Sequence, residues 1–208
     1  HNYLLTGPPG TGKTTLASAY AEEAALSFLH VPCVELGSSF QHQSAGNVAA
    51  VYQRAIQLME REGTKGVIIF LDEIDQVLKR KTEGTNTDSN EVVSTFNELL
   101  DGMQTDYRIM TLGATNRSDL IEPATLQRFT ILHVGYPETD DGVIAIHDAV
   151  RRKCEEYARA HNPSTKLFQP FSRTDYEALL AFGRGNENFK SGRVIERLLI
   201  GSALDKDV

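Results

Sequence analysis

The 208-residue sequence has only two cysteines, Cys33 and Cys154. They lie far apart, with no CxxC pair and no histidine at ligand spacing, which argues against a disulfide framework and a finger-type zinc site. Two free thiols fit a reducing compartment, so a cytoplasmic or similar location is expected. No apolar run approaches the ~20 residues a membrane helix needs, so no membrane role is expected. Positive charge is also scarce: 28 acidic residues face 21 basic ones, for a net charge of −7. The first 137 residues carry −6 of that and the remainder −1. A dedicated nucleic-acid binder is basic, so nucleic acid is not an expected partner. There is no internal repeat, no signal-peptide pattern and no initiating Met. The chain opens inside what reads as a strand, and further sequence upstream is expected.

What is present starts with GPPGTGKT at residues 7–14, which fits G-x-x-x-x-G-K-[ST]. Tyr3, Leu4 and Leu5 before it can form a buried strand, and the Ala-rich residues 14–26 after it read as a helix. In that strand–loop–helix setting, Gly7, Gly10 and Gly12 let the backbone turn and aim its N–H groups at phosphate oxygens. The helix N-terminus adds partial positive charge at the same point. Lys13 is expected on the β- and γ-phosphates and the Thr14 hydroxyl on Mg²⁺. The alternative, a Gly-rich turn before an ordinary helix, leaves the Lys-Thr pair unexplained.

Further along, residues 28–31 read as a second strand, and residues 35–47 as a polar Gly/Ser loop containing one aromatic, Phe40. Residues 48–62 show helical spacing, with Val48, Val51, Tyr52, Ala55, Leu58 and Met59 on one face. Residues 67–71, VIIFL, are apolar throughout, as in a strand covered on both faces. Residues 79–90 read as a loop, 91–103 as a helix with Val92, Val93, Phe96, Leu99 and Leu100 inward, and 109–114 and 130–134 as strands. Strands alternating with helices predict a mainly parallel α/β sheet. After Pro137 no strand-like run appears, and helices are expected at 143–160, 175–182 and 192–203. The expected domains are therefore an α/β core, 1–137, and a small helical domain, 138–208.

Asp72 and Glu73 follow the apolar run, at the strand end where open α/β sheets bind ligands. Asp72 is expected to hold Mg²⁺, largely through its waters, and Glu73 to polarise an attacking water as general base. Asp75 reads as a solvated or capping charge. Asn116 ends the next strand, where its amide can hold both water and γ-phosphate. Arg128 lies after a short turn and suits phosphate contact or transition-state charge. Arg193 follows Ser191-Gly192 at an expected helix start and could reach over a nucleotide. The histidines, His147 among them, show no ligand spacing and read as structural or solvated. Phe40 either joins the core or faces outward.

Taken together, these motifs resemble the AAA+ ATPase family, over nearly the whole chain. GPPGTGKT and VIIFLDEID match its two nucleotide motifs, LGATNRSDLIEPATLQRF its second region of homology, and SGRVIERL its sensor 2 segment. The resemblance implies a P-loop NTPase core with a C-terminal helical lid, and Mg²⁺-dependent ATP hydrolysis. It implies nucleotide contacts from Gly7, Pro8, Pro9, Gly10, Thr11, Gly12, Lys13, Thr14, Thr15 and Asp72, with Thr14 and Asp72 on the metal. Glu73, Asn116 as sensor 1, Arg128 as arginine finger and Arg193 as sensor 2 would be catalytic. Phe40 falls on the first pore loop, which in such proteins grips an extended polypeptide. The implied partners are further copies of the chain in a ring, usually a hexamer, and a protein substrate. Two departures stand out: residues 126–129, LQRF, carry a single Arg, and Gln41-His42 replace the usual Val-Gly after the pore aromatic. A nucleic-acid-linked loader and a non-hydrolysing assembly scaffold are the alternatives.

Overall fold

The computed structural model describes residues 2–33, 44–78, 93, 94, 96, 97, 100, 101, 106–161, 172, 174, 177, 180, 181, 190 and 191. They divide into two compact units, one of residues 1–7 and 13–134, the other of residues 8–12 and 135–208.

The first unit is built on five strands: β1 (Asn2–Thr6), β2 (Ser27–Pro32), β3 (Val67–Asp72), β4 (Ile109–Thr115) and β5 (Thr130–His133). All pair in parallel, in the order β2-β3-β4-β1-β5. β3 is the VIIFL run, and its five apolar residues are buried. Alternate side chains point to opposite faces. Val67, Ile69 and Leu71 join a core with Val51, Ala55 and Met59 of helix α2 (Ser44–Glu62). Ile68 and Phe70 join another with Ala17 and Ala21 of helix α1 (Lys13–Glu23). A strand covered on both sides has no need of polar alternation, hence the unbroken run. Small Ala17 and Ala21 let α1 lie close on the sheet. Val93, Phe96 and Leu100 are buried in the α2-side core, at the helical spacing expected of them.

Several element boundaries differ from the sequence reading. α2 begins at Ser44, four residues earlier, inside the stretch read as loop. Polar residues there masked the helix start, because only the apolar stripe of a helix is periodic. β5 ends at His133, one residue before the end read from the sequence, and is an exposed edge strand of four residues. Its Ile131 and Leu132 are half exposed. The short helix α3 (Pro123–Leu126), with Pro at its first turn, precedes it.

In the second unit, helix α4 (Asp140–His161) starts three residues before its apolar pattern does. The Thr139 hydroxyl accepts the Gly142 N–H at 3.2 Å, capping the helix start. Asp140 and Asp141 in the first turn face its positive end. Residues 174, 177, 180 and 181 are helical. The expected helix at 192–203 lies outside the described residues. Val143 and His147 are buried on one face of α4, so His147 is a core residue and not a solvated one.

Burial holds the His147 imidazole below its ordinary pKa, with nearby Asp148 opposing to a lesser degree. Below about 6.5 an unfolded histidine takes up a proton. The buried one resists, so stability falls as pH drops from there toward the lower folded value. The melting temperature of wild type is therefore expected to fall more between pH 7.5 and 5.5 than that of His147→Gln. Equal falls in thermal unfolding scans would contradict this.

Candidate active site

The loop after β1 is set by steric contact. Gly7 has φ 146°, and a Cβ there would stand 2.1 Å from the Val134 carbonyl oxygen. The same backbone stretch donates from Val134 N–H to Thr6 O at 2.7 Å, closing β1 against the end of β5. No side chain fits between. Gly10 and Gly12 also have positive φ. Within the second unit, the Thr11 hydroxyl donates to Pro8 O at 3.0 Å and the Tyr136 hydroxyl to Pro9 O at 3.1 Å. Pro8, Gly10 and Thr11 are half-buried, while Pro9, Gly12 and Thr15 are exposed.

Lys13 opens α1 and is only 8% exposed. Its ammonium donates to Gly7 O at 2.9 Å and to Asn116 Oδ1 at 2.6 Å. A buried ammonium must be paired, and charge-assisted bonds of this length are the strong kind. The contact also crosses the point where chain order reverses in the sheet. After β1 the chain runs out to β2, and after β4 it runs the other way to β5. Open α/β sheets bind ligands at that crevice.

Next to it, the Thr14 hydroxyl donates to Asp72 Oδ2 at 3.3 Å. Two hard oxygens side by side are the donor type Mg²⁺ takes, directly or through its waters, so Thr14 and Asp72 fit that ion. Asp72 Oδ1 accepts the Glu73 N–H at 3.1 Å, and His30 Nε2 lies 3.5 Å from Asp72 Oδ2. His30 packs against Phe70 on the neighbouring strand. Glu73 itself is exposed and left-handed, with φ 54° and ψ 44°. That conformation costs a non-glycine residue of order 1 kcal/mol, and such outliers cluster at active sites. Among the described residues no group of three or more His, Cys, Asp and Glu could hold a metal.

Asp75 is a correction. It is 7% exposed and accepts a 2.6 Å hydrogen bond from the Thr115 hydroxyl. Its buried setting follows from the short 3₁₀ turn Ile74–Gln76, which tucks Ile74 and Asp75 back under the sheet. Close by, the Cys33 thiol is pushed well above its ordinary pKa, first by burial and then by Asp72, Asp75 and Glu73.

Arg128 sits elsewhere. The Asn2 side-chain amide donates to Leu100 O at 2.9 Å and to Arg128 O at 3.4 Å. That puts Arg128 at the start of β1, whereas the Gly-rich loop leaves from its end. At ~3.3 Å per residue the two are about 13 Å apart along the strand. The guanidinium is held by Asp101, from Nε and Nη2 at 2.7 Å each, and by Ala124 O from Nη1 at 2.7 Å. These hydrogen bonds raise the Arg128 pKa and lower that of Asp101. Sequence reading missed Asp101, which lies 27 residues from Arg128 with no local signal joining them. Phe40 and Arg193 lie outside the described residues, as does the stretch 79–90.

The family model described as "ATPase family associated with various cellular activities (AAA)" matches residues 3–135. The chain belongs to the AAA family of ATPases. It is 36% identical over 209 residues to the peroxisomal ATPase PEX6 of Saccharomyces cerevisiae, covering 93% of this chain and 19% of that protein. It is 41% identical over 128 residues to the ATP-dependent zinc metalloprotease FtsH of Leptotrichia buccalis, covering 60% of this chain and 16% of that protein. The chain thus spans less than a fifth of the length of these relatives. In fold it is similar to the FIGL-1 AAA domain crystallised with ADP, with a TM-score of 0.72 at 24% identity, covering 100% of this chain and 62% of that one. Among the described residues no helix is long and apolar enough to cross a membrane.

Gly7→Ala is expected to abolish nucleotide binding, because the methyl would collide with backbone that cannot give way. Gly63 also has positive φ, but open space surrounds its Cβ position. Gly63→Ala should cost only about 1 kcal/mol and spare binding. Fluorescent-nucleotide titration of both variants checks the contrast, and equal affinities would refute the steric account.

Proposed function

We propose that this chain is the ATP-hydrolysing module of a ring-forming motor that remodels or unfolds protein substrates. Residues 1–137 are its α/β core and 138–208 a helical lid. One observation carries the reading: Lys13 joins Gly7 O to Asn116 Oδ1 while Thr14 contacts Asp72, at one end of the sheet. In this reading a phosphate grip, a metal carboxylate and a polar sensor meet at one end of the sheet. The relative named as a peroxisomal ATPase and the one named as an ATP-dependent metalloprotease support ATP as the substrate.

In this mechanism Lys13 leaves its resting partners for the β- and γ-phosphates, and the loop N–H groups hold the chain of phosphates. Thr14 and Asp72 would hold Mg²⁺, which neutralises charge on the phosphate oxygens when bound. Glu73 orients the attacking water and takes its proton. Asn116, freed from Lys13, holds water and γ-phosphate in register. Arg128 acts on the nucleotide of a neighbouring copy, since its own loop lies a strand length away. Arg193 of the lid reaches over the nucleotide as sensor 2. Phe40 faces the axis of a ring, a hexamer by family habit, and grips an extended chain by non-directional burial. A reducing compartment suits the free thiols.

Lys13 and Glu73 are expected to fail differently. Lys13→Ala loses nucleotide affinity, because Lys13 contacts ground-state phosphate. Glu73→Gln keeps affinity and stops turnover, because Glu73 acts on the water. Phosphate release and nucleotide binding on each variant separate these outcomes, and full turnover by Glu73→Gln would remove its role as base.

Arg128→Ala is expected to keep nucleotide affinity and slow hydrolysis, by up to ~10³–10⁵ as for other such fingers. Mixing Arg128→Ala with Glu73→Gln subunits should restore part of the activity, since some junctions then pair an intact Arg with an intact Glu. Absence of recovery in proven mixed assemblies would count against action between subunits.

A further inference from the structure

The buried carboxylate of Asp75 has no part in the mechanism above, yet it is tied to both strand ends that serve it. Asp75 lies in the turn that begins directly after Glu73. Thr115 is the last residue of β4, 2% exposed, and its hydroxyl donates to Asp75 Oδ1 at 2.6 Å. The same hydroxyl accepts the Arg117 N–H at 2.9 Å. A hydroxyl has one proton, and here it is committed to a carboxylate that can only accept. One of its two lone pairs accepts a backbone N–H two residues on. The residue enclosed between these anchor points is Asn116. The short O–H···O distance is that of a charge-assisted bond. The backbone on both sides of Asn116 is thereby fastened to the turn that carries Glu73.

We infer that Asp75 and Thr115 are positioning residues, which hold the Asn116 amide and the Glu73 carboxylate at one fixed separation. The inference rests on the hydrolytic reading of the site. Neither residue touches nucleotide in this scheme. Lys13 reaches Asn116 Oδ1 at 2.6 Å only while the end of β4 is held in place. Loss of the Thr115 hydroxyl would let the amide drift by a fraction of an ångström without altering the phosphate grip. Misplacement of that order slows the chemical step and leaves ground-state binding unchanged.

The test compares Thr115→Val, which keeps the shape but loses the hydroxyl, with Thr115→Ser, which keeps the hydroxyl, in the full-length protein. Asn116→Ala and the Thr115→Val/Asn116→Ala double variant complete a cycle. ATP turnover is measured across ATP concentrations, with fluorescent-nucleotide affinity alongside. Thr115→Val is expected to lower kcat at least tenfold, with KM and affinity within twofold. Thr115→Ser should return kcat to within threefold of wild type. In the Asn116→Ala background, Thr115→Val should add less than twofold. Equal losses in both backgrounds, or a Ser variant as slow as the Val one, would overturn the inference in favour of plain packing. If Asn116→Ala alone turns over at full rate, the sensor role of Asn116 falls and the positioning pair with it. If Asn116→Ala is slow and Thr115→Val is not, only the pair falls. Should Thr115→Val not fold, Asp75→Asn takes its place, since it retains an acceptor oxygen without the charge. A three- to tenfold loss of kcat at constant KM is expected from it, and an unchanged kcat overturns the inference.

Discussion

A buried ammonium cannot be left unpaired, and Lys13 is nearly buried. Two of the acceptors around it, Gly7 O and Asn116 Oδ1, come from segments more than a hundred residues apart. To supply them, β1 and β4 must be neighbours, must run in the same direction, and must end at the same level. The parallel register Thr6↔Thr115 meets all three conditions. α1 must also start directly from the loop, so that the Lys13 side chain points back across the strand ends. Strand order, register and helix placement thus converge on one charge. Removing a partner would leave that charge with a desolvation cost that surface pairs never carry.

The hydrophobic core makes this geometry rigid. β3 sits between β2 and β4 and is buried on both faces, with α2 packed on one and α1 on the other. A strand clamped in this way cannot slip, because a one-residue shift would exchange every side chain between faces. Its exit at Asp72 is therefore fixed beside Thr14. The left-handed backbone at Glu73 is a local departure from ease, shared among the described non-glycine residues with Ala25. Without it the chain would continue in the direction of β3, and Ile74 and Asp75 could not fold back under β4.

The loop, the apolar strand and its acidic exit are legible in the sequence, because each is a contiguous pattern with its own chemistry. Gly7, Lys13, Thr14 and Asp72 needed only the assumption that neighbouring motifs meet. Asp75 was not legible. Its partner Thr115 lies 40 residues away, and an Asp after Glu in a turn has the same local appearance whether solvated or buried. Asp101 escaped for the same reason: an acid late in a helix signals nothing about an Arg beyond the next strand. The start of α2 was misplaced because Ser44 to Asn47 carry no apolar stripe in the sequence. Pairings between distant polar residues are set by topology, and periodicity does not encode topology.

The same topology bears on the oligomer. Chemistry at the loop needs positive charge on developing negative charge, and Lys13 supplies only part of it. In the proposed mechanism Arg128 supplies the remainder, and it lies at the start of β1, with its guanidinium held in a planar fork by Asp101. No side-chain rotation spans ~13 Å, since a fully extended Arg reaches only about half that distance from its Cα, a span of two extended residues. A strand in the middle of a packed sheet cannot bend to shorten the gap. A single copy of this chain therefore keeps its Arg128 away from its own nucleotide site. In the proposed motor that separation is useful. Hydrolysis then requires a neighbour, so turnover reports on assembly, and an isolated subunit is protected from idle hydrolysis by the length of one strand.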